Sequence, residues 1–363
     1  MDAARAATRD ERRPGLVALL GSGETAAAGG RIFESLAQAL PRPLRVVVLE
    51  TPAGFELNSD RVAGRVAEFL RVRLANYGAD VIQAAALRRD GPRSTGDPLV
   101  TEPLLHADLI FAGPGSPTYA VRHLAGSLAW QRALARHALG AALALASAAT
   151  IAAGRWALPV YEIYKAGHDP FWSDGLDLLG PFGLSLAIVP HWNNNDGGTE
   201  LDTSRCFMGR ERFEAMAAGL PAGTAIVGLD EHTGLVINLA AGNAAVRGAG
   251  GVTLRRDGSE HSFAAGATFA LELLGPFRLV DGLAALPPAI VAEALAAAAA
   301  DASTAAEPAP PAEVAALAEA REAARERRDW TAADELRDRI AALGWQVQDT
   351  PQGPELLPWK DKP

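Results

Sequence analysis

The sequence predicts an α/β fold: a mostly parallel β-sheet flanked by helices, followed by an α-helical hairpin at the C-terminus. Short apolar runs alternate with longer amphipathic stretches through the first half of the chain, which is typical of strands joined by covering helices. Several of the apolar runs end in glycine-containing turns. Because ligands bind at the carboxyl ends of the strands in such sheets, we expect the functional residues in these turns.

The elements of the first half follow from apolar runs and from helical periodicity. In residues 58–77, for example, Val62, Val66 and Leu70 recur at helical spacing, which indicates an amphipathic helix. The predicted strands are residues 16–20, 44–49, 81–84, 109–112 and 141–146, and the predicted helices are residues 31–40, 58–77 and 119–137.

The second half has a different pattern, with shorter strands separated by glycine turns. This pattern indicates a β-rich region, and we expect it to extend the same sheet. The predicted strands here are residues 187–189, 225–228, 234–238, 251–255 and 261–264.

Shifts in composition predict the domain organisation. The charged residues 1–13 are predicted to form a disordered arm, and residues 14–295 the α/β domain. Residues 296–311, rich in Ala and Pro with Asp, Ser and Thr, are predicted to be a linker. Residues 312–363 begin with a highly charged helical stretch, which we expect to break at Trp330 into helices 313–328 and 331–342, with Gly344 after the second.

Composition limits the possible classes of protein. The net charge of −9 over 363 residues argues against a general nucleic-acid footprint and against adsorption to an anionic membrane. A single cysteine, Cys206, excludes an intrachain disulfide and a cysteine-based zinc site. With neither a signal peptide at the N-terminus nor an apolar stretch long enough to span a bilayer, we expect a cytoplasmic protein without membrane contact.

Ser147 is the most informative single residue. It lies between the apolar run 141–146, which reads as a buried strand, and the small-residue run 148–154, which reads as the start of a helix. A serine on such a sharp strand-to-helix turn has the geometry of a nucleophile elbow. A plain helix N-cap is the structural alternative.

Three segments are candidates to converge on Ser147. His191 follows a predicted strand in a polar loop, Glu162 is a carboxylate among aromatic residues, and residues 113–116 form a glycine loop after another strand. A serine hydroxyl needs a nearby base, best oriented by a carboxylate, and the oxyanion it creates needs preorganised donors. The amides of Ala148 and of Gly115 or Ser116 would suit this last role. Taken singly, each residue could instead be a capping, turn or surface residue.

Two other kinds of site fit the sequence poorly. The segment 21–26 lacks the third glycine of a dinucleotide-binding loop. His191, Asp196, Glu200 and Asp202 match no standard spacing of metal ligands. We therefore expect neither a metal nor another cofactor.

The order of these segments resembles the S51 peptidase family, which includes dipeptidase E and cyanophycinase. The resemblance covers about residues 14–285, so the predicted α/β domain is S51 peptidase-like. It is carried by Gly21-Ser22-Gly23-Glu24, Phe111-Ala112-Gly113-Pro114-Gly115-Ser116, Ala146-Ser147-Ala148-Ala149, Pro190-His191-Trp192 and Gly228-Leu229-Asp230-Glu231-His232-Thr233.

The resemblance implies a class I glutamine amidotransferase-like fold and a serine hydrolase that cleaves small peptides or amides without a cofactor, with bonds beside aspartate as the candidate cleavage sites. Carried over, Ser147 is the nucleophile, His191 the base and Glu162 the acid. The oxyanion donors fall at the amides of Gly115, Ser116 and Ala148. The implied pocket residues are Gly113, Asn193, Asn194, Asp230 and Glu231, and we interpret Asp230 and Glu231 as structural or pocket elements rather than the triad acid.

The elbow departs from the Gly-x-Ser-Ala-Gly pattern of that family. Leu145 and Ala149 occupy the two glycine positions, where a side chain could crowd the strained turn. The alternative hypothesis is therefore a catalytically inactive, amidotransferase-like binding protein. The sequence leaves open whether the chain forms a homo-oligomer.

Residues of about 313–353 carry a separate resemblance, to the C-terminal segment of cysteinyl-tRNA synthetase, through Arg327-Arg328-Asp329-Trp330-Thr331-Ala332-Ala333-Asp334 and the segments around it. It implies a contact with RNA or a protein partner through Arg325, Arg327 and Arg328. A solvated charged face is the alternative. The predicted core of this helical hairpin consists of Trp330, Ala333, Leu336, Ile340 and Leu343.

Overall fold

The computed structural model describes residues 13–305, 310–350 and 353–358. The chain divides into two compact units, Met1–Ala298 and Ala299–Pro363. The predicted disordered arm lies outside the described residues except for Arg13. Within the described ranges, no helix has both the length and the apolar character needed to span a bilayer.

The strands and helices of the first unit largely follow the apolar runs of the sequence. The strands are β1 (Val17–Leu20), β2 (Arg45–Leu49), β3 (Asp80–Ala84), β4 (Leu109–Ala112), β5 (Ala142–Ala146), β6 (Trp156–Ala157), β7 (Ser173–Asp174), β8 (Leu186–Val189), β9 (Ala225–Leu229), β10 (Thr233–Asn238), β11 (Asn243–Gly248), β12 (Gly251–Arg256), β13 (Ser259–Ala264) and β14 (Thr268–Ala270). The helices are α1 (Ala27–Ala37), α2 (Ser59–Arg73), α3 (Pro117–Leu124), α4 (Leu128–Ala138), α5 (Ala148–Ala152), α6 (Arg210–Ala217) and α7 (Pro288–Ala305), which continues past the boundary between the units.

A central sheet organises the first unit. Over the described chain its strand order is β14-β11-β10-β1-β5-β4-β2-β3, and the five strands from β1 to β3 in this order run parallel. Strands β1, β4 and β5 are buried along their whole length because both faces of the sheet are covered. Helices α1 and α2 pack on one face, and α3 and α4 pack on the other. The predicted fold class is confirmed, and the turns after β1, β2, β4 and β5 meet at one edge.

The second half of the unit only partly extends this sheet, contrary to the prediction. Strands β10, β11 and β14 do extend it, with β10 antiparallel to β1. Strands β8, β9, β12 and β13 instead belong to a second sheet of order β13-β12-β9-β8-β6-β7 in the described chain. In the described chain, the connections after β5, β9, β11 and β13 pass between the two sheets, and the one after β9 is the short turn to β10. The alternation of strands could not reveal these crossings.

Two other boundaries differ from the sequence prediction. The helix predicted over 119–137 is interrupted at Gly126, which has a φ of 69°, and Ser127 accepts the Trp130 amide to start α4. The predicted linker 296–311 is partly helical, because α7 continues to Ala305 through the alanine-rich stretch and alanine is the best helix former. Residues 306–309 of that linker lie outside the described residues.

The second unit pairs two helices with a β-hairpin. Helices α8 (Ala312–Glu326) and α9 (Trp330–Ala342) match the predicted helical hairpin, whereas the antiparallel strands β15 (Trp345–Thr350) and β16 (Gly353–Pro358) were not predicted. Ile340 and Ala333 are buried as expected, and Leu336 packs at the edge of the core. Trp330 and Leu343 were predicted in this core but are 58% and 44% exposed, and Trp345 packs there instead.

Candidate active site

Ser147 stands between β5 and α5 in a strained backbone conformation. Its φ of 50° and ψ of −107° lie outside the regions that non-glycine residues normally occupy. Its side chain makes no capping hydrogen bond to the helix. Instead, Ser147 Oγ lies 3.0 Å from His191 Nε2. The structure therefore favours the elbow over the N-cap interpretation.

The elbow forms without the flanking glycines. Leu145 is 1% exposed and belongs to the apolar core, where its backbone pairs with Leu19 of β1 and Ala112 of β4. Ala149 is buried in the same core cluster. Because both side chains are packed in the core, replacing the two glycines of the family pattern by Leu145 and Ala149 does not prevent Ser147 from contacting His191.

His191 is held in place by the loop that follows β8. Its φ is 51°, and its carbonyl oxygen accepts the amides of Asn194 and Cys206, each at 3.1 Å. On the side away from Ser147, His191 Nδ1 lies 2.9 Å from Glu231 Oε1. The Phe207 ring lies beside the imidazole, with 6.1 Å between ring centroids. One nitrogen thus faces the serine and the other a carboxylate.

Glu231 lies in the β9–β10 turn and is fixed by the His191 loop. Asn194 Nδ2 donates to Glu231 Oε1 at 3.0 Å, and the Glu231 amide donates to Asn193 Oδ1 at 2.8 Å. Burial would raise the pKa of the Glu231 carboxyl, but the hydrogen bonds from His191 and Asn194 and the electrostatic influence of His191 and His232 outweigh it. The pKa of Glu231 therefore lies below its usual value, and the group stays ionised.

Glu162, the acid expected from the sequence, does not occupy this position. The carboxylate beside His191 is that of Glu231, while Glu162 lies in the π-helical turn Tyr161–Lys165 and accepts a hydrogen bond from Thr118 at the start of α3. The two turns contact different parts of the fold. The β9–β10 turn contacts the His191 loop, whereas the Glu162 turn contacts the start of α3. Two sequence signals could have favoured Glu231: the apolar run before Leu229-Asp230-Glu231 marked a strand end, and residues 228–233 were among the segments that carry the family resemblance.

One of the two donors expected in the loop after β4 is already engaged within the fold. The Ser116 amide, expected as an oxyanion donor, donates to the Pro52 carbonyl at 2.9 Å, so it is already engaged. Gly115 has a φ of 147°, and a Cβ there would lie 1.9 Å from the same carbonyl oxygen, so the position requires glycine. The Ala148 amide opens α5 and has no acceptor within the helix.

The other expected pocket residues have identifiable structural partners. Asp230 exchanges hydrogen bonds with Gly251 of β12, which ties the β9–β10 turn to the second sheet. Gly113 is buried where a Cβ would meet the Phe111 ring at 2.5 Å. Asn193 is exposed and Asn194 buried, and both bind Glu231. Within the part of the chain that the structure describes, no group of three His, Cys, Asp or Glu side chains is placed to hold a metal.

Cys206 is a neighbour of the site but not a second nucleophile. Burial, and to a lesser degree the Glu231 charge, raises the pKa of its thiol to about 12. A thiol with this pKa is fully protonated near neutrality, and the thiolate is the reactive form.

A known structure shares the fold of most of this chain. A crystal structure of a peptidase from an acI-B1 Actinobacterium superposes with a TM-score of 0.57 at 19% sequence identity, covering 71% of this chain and 98% of that one. At this identity the likeness shows the fold alone. It confirms the predicted resemblance to a peptidase at the level of architecture.

The C-terminal resemblance is confirmed by sequence comparison. The family model described as the cysteinyl-tRNA ligase anticodon binding domain matches residues 307–354. The chain is 54% identical over 37 residues to the cysteine–tRNA ligase of Moorella thermoacetica (strain ATCC 39073 / JCM 9320), and 47% identical over 34 residues to cysteine–tRNA ligase 1 of Burkholderia lata. These matches cover 10% and 9% of this chain, and the chain spans only 7% of the length of either ligase.

Proposed function

We propose that the protein is a serine hydrolase of small peptides or amides, with Ser147 as nucleophile, His191 as base and Glu231 as the orienting acid. The observation that carries this proposal is the continuous chain of contacts, 3.0 Å from Ser147 Oγ to His191 Nε2 and 2.9 Å from His191 Nδ1 to Glu231 Oε1. Nucleophile, base and orienting group in hydrogen-bond reach are the signature of an activated serine. The strained backbone of Ser147 adds support, because such strain concentrates at functional sites.

In this mechanism Glu231 accepts a hydrogen bond from the Nδ1–H of His191, which leaves the lone pair of Nε2 free to accept a proton from Ser147. As the Oγ–carbon bond forms at the substrate carbonyl, the Ser147 proton passes to Nε2. The tetrahedral intermediate then collapses, the carbon–nitrogen bond breaks, and the imidazolium gives its proton to the leaving amine. In the second half of the reaction, His191 Nε2 accepts a proton from a water molecule as the water oxygen attacks the acyl carbon. The bond between that carbon and Ser147 Oγ then breaks, and His191 returns the proton to Oγ.

The oxyanion of the intermediate would be held by the amides of Ala148 and Gly115. Neither amide is engaged as the Ser116 amide is, and both belong to turns adjoining the nucleophile at the carboxyl edge of the sheet. Donors aimed at the developing charge are typically worth about 10² to 10³ in rate each. Every step uses protein groups and water alone.

The substrate class rests on two likenesses. The structurally similar actinobacterial protein is described as a peptidase, and the motifs around Ser147, His191 and Glu231 resemble S51 peptidases. Aspartyl dipeptides are therefore the first substrates to screen.

The test is labelling with a fluorophosphonate, which reacts with activated serines. We expect the folded wild-type protein to be labelled and Ser147→Ala to lose the label completely. Ser259→Ala, which changes an exposed serine in β13, is the matched control and should label like the wild type. A folded wild-type protein that does not react would contradict the proposal and favour the inactive binding protein.

A second function is proposed for the C-terminal unit, namely an RNA contact. The observation that favours it is the match of residues 307–354 to an anticodon binding domain. Arg327 and Arg328 are exposed at the turn between α8 and α9, and the exposed Trp330 follows them two residues later in the chain. Such a surface combines charge for phosphates with a ring for base stacking.

The experiment for this second function measures transfer RNA binding by the full chain as a function of salt. We expect the paired substitution Arg327→Gln and Arg328→Gln to weaken binding and to flatten the salt dependence, because phosphate contacts release counterions. Arg89→Gln, in the first unit, is the control. Binding that is unchanged by the paired substitution would leave a protein partner as the remaining candidate.

A further inference from the structure

Glu162, Thr118 and Ser116 form a chain of side-chain hydrogen bonds that the proposed mechanism does not use. Thr118 Oγ1 donates to Glu162 Oε1 at 2.5 Å, and the Thr118 and Ser116 hydroxyl oxygens are 3.0 Å apart. Ser116 Oγ in turn accepts the Tyr119 amide at 3.2 Å. The chain thus links a carboxylate in one turn to the residue that follows Gly115.

The direction of this chain follows from the number of protons available. A hydroxyl has one proton to donate, and Thr118 Oγ1 donates its proton to Glu162 Oε1. Because the Thr118 proton goes to Glu162, the bond between the two hydroxyls must be donated by Ser116. Glu162 therefore sets the orientation of both hydroxyl groups.

Burial makes this arrangement costly to break. Ser116 is buried, and Glu162 Oε2 is shielded from solvent with no hydrogen-bond partner in the described chain. A carboxylate with one unpaired buried oxygen depends strongly on its remaining hydrogen bond. The Glu162–Thr118 bond is therefore not a loose surface contact.

The chain ends at the loop that presents the Gly115 amide. Ser116 is fixed on its backbone side by the hydrogen bond from its amide to Pro52, and on its side-chain side by Thr118 and the Tyr119 amide. We propose that Glu162 is a positioning residue: through Thr118 and Ser116 it fixes the loop so that the Gly115 N–H points to the oxyanion. This inference rests on the proposed serine hydrolase function.

The test compares variants that remove the chain with variants that keep it. Thr118→Val removes the hydroxyl at nearly constant shape, whereas Thr118→Ser retains it. Glu162→Met removes the acceptor, whereas Glu162→Gln retains an acceptor oxygen. The measurement is the fluorophosphonate reaction, resolved into the maximal rate of inactivation and the half-saturating concentration of the reagent.

We expect Thr118→Val and Glu162→Met to lower the maximal rate about 10- to 100-fold, less than the complete loss of an oxyanion donor. The half-saturating concentration should hardly change, and Thr118→Ser and Glu162→Gln should stay within about threefold of the wild type. The double variant Thr118→Val/Glu162→Met should be no slower than the slower single variant, because both act through one chain.

Several outcomes would overturn the inference. Additive losses in the double variant, or failure of Thr118→Ser to restore the rate, would show that the hydroxyl chain does not act as a unit. A loss in Glu162→Gln as large as that in Glu231→Gln would make Glu162 a member of the triad. If the wild type reacts and Thr118→Val reacts equally fast, this inference fails while the proposed function stands. Because the Thr118 and Glu162 pairs test the chain independently, one misfolded variant leaves the other pair decisive.

Discussion

Two turns of the first unit each present a glutamate to the region of the nucleophile, and they differ in what surrounds the carboxylate. Glu231, in the β9–β10 turn, meets an imidazole and an amide side chain, and its pKa is lowered. Glu162, in the turn Tyr161–Lys165, meets one hydroxyl and leaves one oxygen unpaired. The comparison teaches that the partners of a carboxylate, rather than its distance in sequence from the serine, determine which role it can take.

The most direct test of this difference is to replace each glutamate in turn by glutamine. We expect Glu231→Gln to lower the fluorophosphonate reaction rate about 10³- to 10⁴-fold, because an amide cannot orient and stabilise the imidazolium as a carboxylate does. Glu162→Gln should change it by less than about threefold, because its oxygen still accepts from Thr118. Rates are measured on both folded variants at neutral pH. The reverse ranking would restore Glu162 as the acid.

A second prediction tests the loop that Glu162 is proposed to support. Gly115→Ala places a Cβ against the Pro52 carbonyl oxygen, so the loop must move, and we expect a loss of about 10²-fold in the reaction rate. Gly126→Ala is the matched control, because Gly126 also has a positive φ but has no neighbour within 4 Å of the added Cβ. Equal rates for the two variants would show that the Gly115 amide takes no part.

The smallest effect should come from the hydrogen bond between Asn194 and Glu231. Asn194→Ala should slow the reaction about threefold to tenfold at neutral pH, which corresponds to the usual net contribution of a typical hydrogen bond, about 0.5 to 1.5 kcal/mol. The control is Asn195→Ala, which changes an exposed residue of the same loop.

The pH dependence of stability provides a second test of the hydrogen bond between Asn194 and Glu231. The hydrogen bond from Asn194 helps to hold the pKa of Glu231 below its ordinary 4.5, so the carboxylate persists as the pH falls towards that lowered value. Its contribution to stability is present above pH 4.5 and is lost as the pH falls through the lowered pKa. Without Asn194 the pKa of Glu231 rises, so the acid-side loss of stability should begin at higher pH. Thermal-unfolding profiles that coincide with those of the wild type across the acid range would contradict this assignment.

Much of the first unit could be predicted from sequence because buried parallel strands have continuous apolar sequences. The runs around Val47, Ile110 and Leu143 are continuous and apolar, as expected when both faces of a sheet are covered. The second sheet could not be predicted, because the choice between pairing beside β1 and pairing beside β8 depends on long-range register. Sequence patterns record local periodicity and not the partner of a strand.

The site was predictable in part for the same reason. Ser147 and His191 each follow an apolar run, and parallel strands bring such turns to one edge. Glu231 was predicted as a pocket residue but not as the partner of His191, since that contact depends on where the β9–β10 turn passes from one sheet to the other. Thr118 was missed altogether, because its importance comes from a hydrogen bond to Glu162 and a threonine after a proline at a helix start carries no special signal.

In the second unit the missed hairpin did leave a signal. Trp345 and Val347 alternate with polar residues, and the sequence Pro351-Gln352-Gly353, of a composition typical of turns, follows; this is the sequence pattern of a half-buried hairpin. Trp330 was placed in the core by its size, yet its position at the first turn of α9 leaves it exposed. Hydrophobicity alone does not say which aromatic ring a small core encloses.

The connection between β9 and β10, which passes from the second sheet to the first, has a consequence for the chain during its synthesis. Ser147 belongs to the first sheet, His191 to the second, and Glu231 to the connection between them. Strand β10, which lies directly after Glu231, must insert beside β1 to complete the first sheet. A ribosome-bound chain that has made only its first 200 residues therefore holds the nucleophile without the acid. On the proposed mechanism, hydrolytic competence requires synthesis through Glu231 and formation of the contact between Glu231 and His191.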